Sequence, residues 1–200
     1  MLRTFTNEAI NMKKKAILIL SIGFAVLIAS AFFLQHLNGS SPKWTDMLGR
    51  IVIGLLPILL LFLKRIPFSL PLIIGYYALL FFAFFLGAVL RFYDRFSWWD
   101  TVLHFGGSVF TAFVAMALYR LLIPESAERR ISRWLIFLFV LTFAVTFSAF
   151  WEVIEFIGSV MGALESDDNK DTMTDTLSGM AGGVIIAIYA AFHKKVSDQN

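Results

Sequence analysis

The sequence predicts an all-α, polytopic membrane protein: a single integral membrane domain over residues 1–200, with six transmembrane helices and both termini in the cytoplasm. Three observations predict it. Hydrophobic residues make up 58% of the chain, with 22 Phe, while charged residues make up only 16%, a composition foreign to soluble domains. The charges fall between apolar runs long enough to cross a hydrocarbon core of about 30 Å, rather than alternating along helix faces. Lys and Arg are also divided unevenly between the two sides that six spans define. The absence of cysteine excludes disulfides, thiolate zinc sites and cysteine nucleophiles. Membrane orientation accounts for the formal charge of +3, so the expected partner is the lipid bilayer and not nucleic acid.

Residues 1–11 are polar, and Lys13, Lys14 and Lys15 then mark the entrance to the first span, residues 16–37. Met12 directly ahead of them offers an alternative start. Ala29-Ser30-Ala31 fits a signal-peptide cleavage site, but Phe32, Phe33 and Leu34 carry the apolar run to spanning length, which favours an uncleaved helix. The second span, residues 47–63, contains Gly54 and Pro57 and is expected to kink before Lys64 and Arg65 stop it. Residues 70–90 form the third and least polar span. The link RFYDRFSWWD leads to the fourth, residues 101–123, halted by Pro124. A polar loop with Arg129, Arg130 and Arg133 precedes the fifth, residues 134–157. The acidic link GALESDDNKD precedes the sixth, residues 172–192, which closes against Lys194 and Lys195.

With the N-terminus inside, 12 of the 17 Lys and Arg residues are cytoplasmic, and Lys43, Arg50, Arg91, Arg95 and Lys170 remain outside. Trp44, Trp98, Trp99 and Trp151 then fall at the outer interface and Trp134 at the inner one, as aromatic belts require.

The stretch FSAFWEVIEF, near the end of the fifth span, places Glu152 and Glu155 on one helix face with Ser148 and Ser159. An acidic side chain in such a run costs about 2.5–3.5 kcal/mol at mid-membrane and less toward the ends. The negative end of the helix macrodipole gives no relief. Counting about 1.5 Å per residue from Trp134, Glu152 lies roughly 27 Å along, just beneath the outer boundary. His104 sits one turn behind Asp100 in the fourth span, and Asp175 one turn behind Asp171 in the sixth, at about the same depth. The Asp175 face continues into Ser178, Gly179, Gly182 and Gly183, small residues that let helix backbones approach closely. Gly106 and Gly107 could do the same beside His104. Spans four, five and six are therefore expected to meet and gather these polar pairs. Asp46, Asp100 and Asp171 also fit plain helix caps; Glu152, Glu155 and Asp175 do not.

Five carboxylates gathered so closely cannot all stay ionised unaided. Arg50, Arg91 or Arg95 could pair with some, a proton could be held to make an acid/base pair, or a divalent cation could sit among them. The oxygen ligands suit Ca²⁺, Mg²⁺ or Mn²⁺, and His104 admits Zn²⁺. The candidate catalytic residues are His104, Glu152, Glu155 and Asp175. The candidate metal ligands are Asp100, His104, Glu152, Glu155, Asp171 and Asp175, and a divalent cation is the cofactor they imply.

At these motifs, WDTVLHFGG from Trp99, WEVIE from Trp151 and DTMTD from Asp171, the chain resembles the YjdF-like group of bacterial inner-membrane proteins over residues 91–183. Gly106 and Gly107 follow His104 sooner than that group's pattern has them. A looser similarity to VanZ-like membrane proteins, linked to glycopeptide-antibiotic resistance, rests on the order of D-x-x-x-H, Glu, Asp and Gly, without that family's later Gln and Arg. The resemblance implies a multi-pass protein of the bacterial inner membrane and supplies no reaction. Three functions stay open. The first is an outward-facing site for acid/base chemistry, metal-dependent or not, on a lipid-linked or envelope substrate. The second is a non-catalytic sensor or assembly protein braced by its polar cluster. The third is a cation- or proton-coupled transporter, for which the apolar fifth span below Glu152 leaves no evident path.

Overall fold

A computed structural model describes residues 2–39, 42–63, 66–128, 130–161 and 168–193. The expected stops at Lys64, Arg65, Lys194 and Lys195, the loop residue Arg129 and the link acids Glu165 and Asp167 lie outside the described residues. Among the described residues every regular element is helical. Six helices are long and apolar enough to cross a membrane: Glu8–Leu37, Trp44–Phe62, Leu70–Val89, Trp99–Leu122, Arg133–Val160 and Asn169–Phe192. All six correspond to the expected spans. Several begin earlier, because polar residues such as Asp46, Asp100 and Asp171 fill first helical turns instead of preceding them. There a carboxylate meets the positive end of the macrodipole. The first helix likewise starts at Leu2, so the polar leader is a helical extension of the span.

The chain divides into two compact units, Met1–Arg95 and Phe96–Asn200. The first contains α1 (Leu2–Leu37), α2 (Trp44–Leu55), α3 (Leu70–Leu80) and the short α4 (Phe92–Arg95). Ile17, Phe24, Ile28, Ile66, Ile73, Tyr77 and Leu80 form its core. Within it, the Ser21 and Tyr77 hydroxyls hydrogen-bond each other at 2.6 Å, which removes two polar groups from an apolar setting. Gly54 lets α2 close on α1, since a Cβ there would collide with the Phe24 ring.

The expected kink at Pro57 takes a definite form. α2 passes directly into a 3₁₀ segment, Leu56–Phe62. Proline has no N–H, so Ile53 O loses the donor four residues on. The Leu56 N–H bonds to that carbonyl in 3₁₀ fashion, and the Tyr76 hydroxyl of α3 donates to it at 2.7 Å. α3 continues as a π-helical stretch, Phe81–Val89, closed by Leu90 N–H donating to Phe85 O at 2.9 Å. Arg91, at φ 61°, turns the chain into α4, and its Nε donates to Asp94 Oδ2 at 2.6 Å.

The second unit is a three-helix assembly of α5 (Trp99–Leu122), α7 (Arg133–Val160) and α8 (Asn169–Phe192), with the short α6 (Glu125–Glu128) between α5 and α7. Small residues carry the contacts. Ala112, Ala115, Val140, Ala144 and Ala187 are fully buried, with Tyr119, Ile136, Ile186 and Ala190 around them. A Cβ on Gly182 would stand 2.6 Å from Phe105 O, and one on Gly183 would stand 3.0 Å from the Ala144 Cβ. Both glycines therefore set how closely α8 approaches α5 and α7, as small-residue faces do in membrane bundles. Gly107, expected to help, has nothing within 4 Å of where a Cβ would stand and takes no part in that packing. Large apolar side chains such as Leu122, Trp134, Phe156 and Phe192 are mostly exposed, as a surface facing lipid requires.

Candidate functional site

The site lies where α5 begins, α7 ends and α8 begins. His104 stands one turn into α5, buried on the face that meets α7 and α8. Its Nδ1 is 3.2 Å from Glu152 Oε1 of α7. On the other edge of the ring, Nε2 is 3.6 Å from Asp100 Oδ1 and 3.8 Å from Glu155 Oε2. The imidazole thus lies between carboxylates on both edges. Side-chain exposure rises from 5% at His104 through 11% at Glu152 and 21% at Glu155 to 31% at Asp100, so the cluster has a closed floor and an open rim.

Asp175, buried two turns into α8, completes the floor. The Thr101 side chain lies beside its carboxylate, and Ser178 Oγ donates to Thr101 O at 2.7 Å, which ties α8 to the first turn of α5. Asp175 Oδ1 is buried with no hydrogen-bond partner among the described residues. The same holds for the hydroxyls of Ser148 and Ser108. A Cβ on Gly179 would run into Ser148 Oγ, so this glycine lets the α7 serine sit against α8.

Donor atoms of His104, Glu152 and Asp175 lie within 4.8 Å of one another, as do those of Asp100, His104 and Glu155. Two bonds of about 2.1 Å span roughly 4.2 Å only when the two ligands face each other across the cation. Three donors on one ion stand closer together, roughly 3.4 Å apart in a tetrahedral site, so side-chain shifts of about an ångström would close either group on an ion.

The structure brings together five of the six residues the sequence singled out. Asp171 is not in either group. It is exposed in the first turn of α8, and its backbone N–H is bonded to Asp168 Oδ1 at 2.8 Å. The capping alternative is corrected as well. The N-cap positions are Lys43, Trp98 and Asp168, which leaves Asp46, Asp100 and Asp171 inside their helices. Arg91, one of the cations expected to offset the acids, is paired with Asp94. Two contributors went unread in the sequence. Thr101 looked like a helix start and gave no other signal. Trp151 looked like a belt residue, yet its Nε1 donates to Glu155 Oε1 at 2.8 Å; the i,i+4 spacing of Trp and Glu was the available signal.

Six apolar helices, three of which bring titratable groups together, define a polytopic membrane protein. The chain belongs to the family of predicted membrane proteins DUF2238, whose model matches residues 16–196. No curated protein and no solved structure matches the chain.

Proposed function

We propose that this membrane protein holds a divalent cation on His104, Glu152 and Asp175 and uses the site for acid/base chemistry at one membrane face. The observation that carries the reading is the deep set itself. It has three donors within 4.8 Å, and Asp175 Oδ1 is buried without a hydrogen-bond partner among the described residues. Four carboxylates share one imidazole here, and like charges so close need either a counter-charge or a retained proton. The arrangement around His104 favours the deep set over the rim set. A metal-bound histidine typically donates its second ring N–H to a carboxylate. With Nδ1 toward Glu152, Nε2 faces Asp100 and Glu155 in that role. One nitrogen and carboxylate oxygens suit Zn²⁺ or Mn²⁺.

A bound cation supplies Lewis acidity. Glu155 and Asp100, on the open rim, are the groups positioned to exchange protons with a ligand arriving there. Trp98 and Trp151, both largely exposed, flank that rim and support an interfacial position. The ligand class that fits is lipid-linked or envelope-derived. The Lys and Arg distribution supports a cytoplasmic placement of both termini and an outward-facing site. The three motifs support kinship with the YjdF-like proteins of the bacterial inner membrane, and only more loosely with VanZ-like ones.

Transport fits less well. Beneath Ser108 and Ser148, the interior is filled by Ala112, Ala115, Val140, Ala144 and Ala187, all fully buried, and a relay would have to cross that apolar plug. The brace reading draws on the close packing of Gly179, Gly182 and Gly183 around the cluster. Elemental analysis separates it from a metal site. Protein stripped with chelator and reloaded should hold about one equivalent of Zn²⁺ or Mn²⁺, and less than about 0.1 equivalent would remove the cation reading.

A further inference from the structure

In the first unit, a cavity of about 180 Å³ opens between the end of α1, the start of α2 and the end of the π-helical stretch. Its polar lining is Gln35, Lys43, Asp46 and Arg50; Ile28, Phe32 and Met47 provide an apolar side. Asp46 and Arg50 are four residues apart on α2 and share a face. Thr45 Oγ1 donates to Asp46 Oδ1 at 3.3 Å. Gln35 is held by Nε2 donating to Val89 O at 3.4 Å, at the end of the π-helical stretch. π-helical segments recur at functional sites.

Arg50 is half-buried, with Asp46 and Tyr93 in electrostatic range. Within this unit no described carboxylate lies at ion-pairing distance from it. It stands about 9 Å along the helix axis from Trp44, which is largely exposed. Belt tryptophans sit at headgroup level, so the Arg50 backbone lies beneath the headgroups, from where its long side chain can snorkel back up to them.

We infer that this cavity binds the headgroup of a zwitterionic aminophospholipid, with the phosphate on Arg50 and Lys43 and the ammonium on Asp46. A guanidinium offers phosphate parallel N–H donors, and its weak hydration suits a half-buried position. Asp46 makes the lining selective: it complements an ammonium and repels a second anionic group. The apolar side accommodates the glycerol and first methylenes, which a soluble headgroup lacks.

The test is native mass spectrometry of the full chain, delipidated in detergent and titrated with phosphatidylethanolamine, phosphatidylglycerol and free phosphoethanolamine. One phosphatidylethanolamine should be retained, with the other two bound about fivefold or more weakly. Arg50→Gln should weaken retention about tenfold. Asp46→Asn should keep binding but lose the preference over phosphatidylglycerol. Thermal melting in parallel checks that each variant folds. Equal retention by wild type and folded Arg50→Gln overturns the inference, and so does a wild type with no preference between the two lipids. If Arg50→Gln does not fold, the selectivity of Asp46→Asn decides. None of these readouts involves the His104 cluster.

Discussion

At the scale of single residues, His104 organises the account, because its two ring nitrogens face different neighbours. Glu152 lies on the Nδ1 edge, and Asp100 and Glu155 lie on the Nε2 edge. The division predicts unequal mutational effects. Glu155→Gln removes one of two acids that would orient the ring, so Zn²⁺ affinity should fall about 10-fold to 100-fold, measured by competition with a chelating dye. Asp175→Asn removes a ligand and should abolish stoichiometric binding. The amide has nearly the shape of the carboxylate and carries no charge to desolvate, so the melting temperature of the metal-free variant should stay close to that of wild type. A large loss of stability with unchanged metal content would instead mark Asp175 as a brace. Protons compete with the cation for an imidazole and carboxylates, so affinity should also fall as pH is lowered.

At the scale of elements, helix irregularities and glycine contacts fix the geometry. Tyr76→Phe removes the hydroxyl that donates to Ile53 O beside Pro57. It should cost about 0.5–1.5 kcal/mol, read as a lowered melting temperature in detergent. Gly182→Val would push a side chain into Phe105 O, so α8 must move off α5; a cost of about 1–3 kcal/mol and loss of the metal site should go together. Gly107→Ala, with nothing within 4 Å, should change neither. These elements also mark the limit of the sequence. Six apolar runs and the Pro57 kink were readable, because hydropathy and a missing N–H act locally. The 3₁₀ and π geometries were not, since a run such as FFAFFLGAV has no polar residue to mark a change of helical period. Glu152 and Asp175 were readable as a site because a carboxylate in a spanning helix has no local justification. The edge of His104 that each acid meets depends on how helices cross, which no spacing along one chain encodes.

At the scale of the molecule, two units divide the chain. The first has an aromatic and aliphatic core, and the second a core of alanines with Tyr119, Ile136, Val140 and Ile186 beneath a polar cluster. Topology is directly testable because the chain has no cysteine. Single cysteines at Gly39 and Met161 should react with a membrane-impermeant maleimide on intact cells, and one at His193 only after permeabilisation. The reverse pattern would invert the orientation and turn the His104 rim toward the cytoplasm.

The most direct measurement is X-ray absorption at the zinc edge on chelator-stripped, zinc-reloaded protein. The predicted spectrum contains one imidazole nitrogen and carboxylate oxygens at about 2.0–2.2 Å, with the imidazole signature gone in His104→Ala. A wild-type spectrum without imidazole, or one that His104→Ala leaves unchanged, would contradict the account.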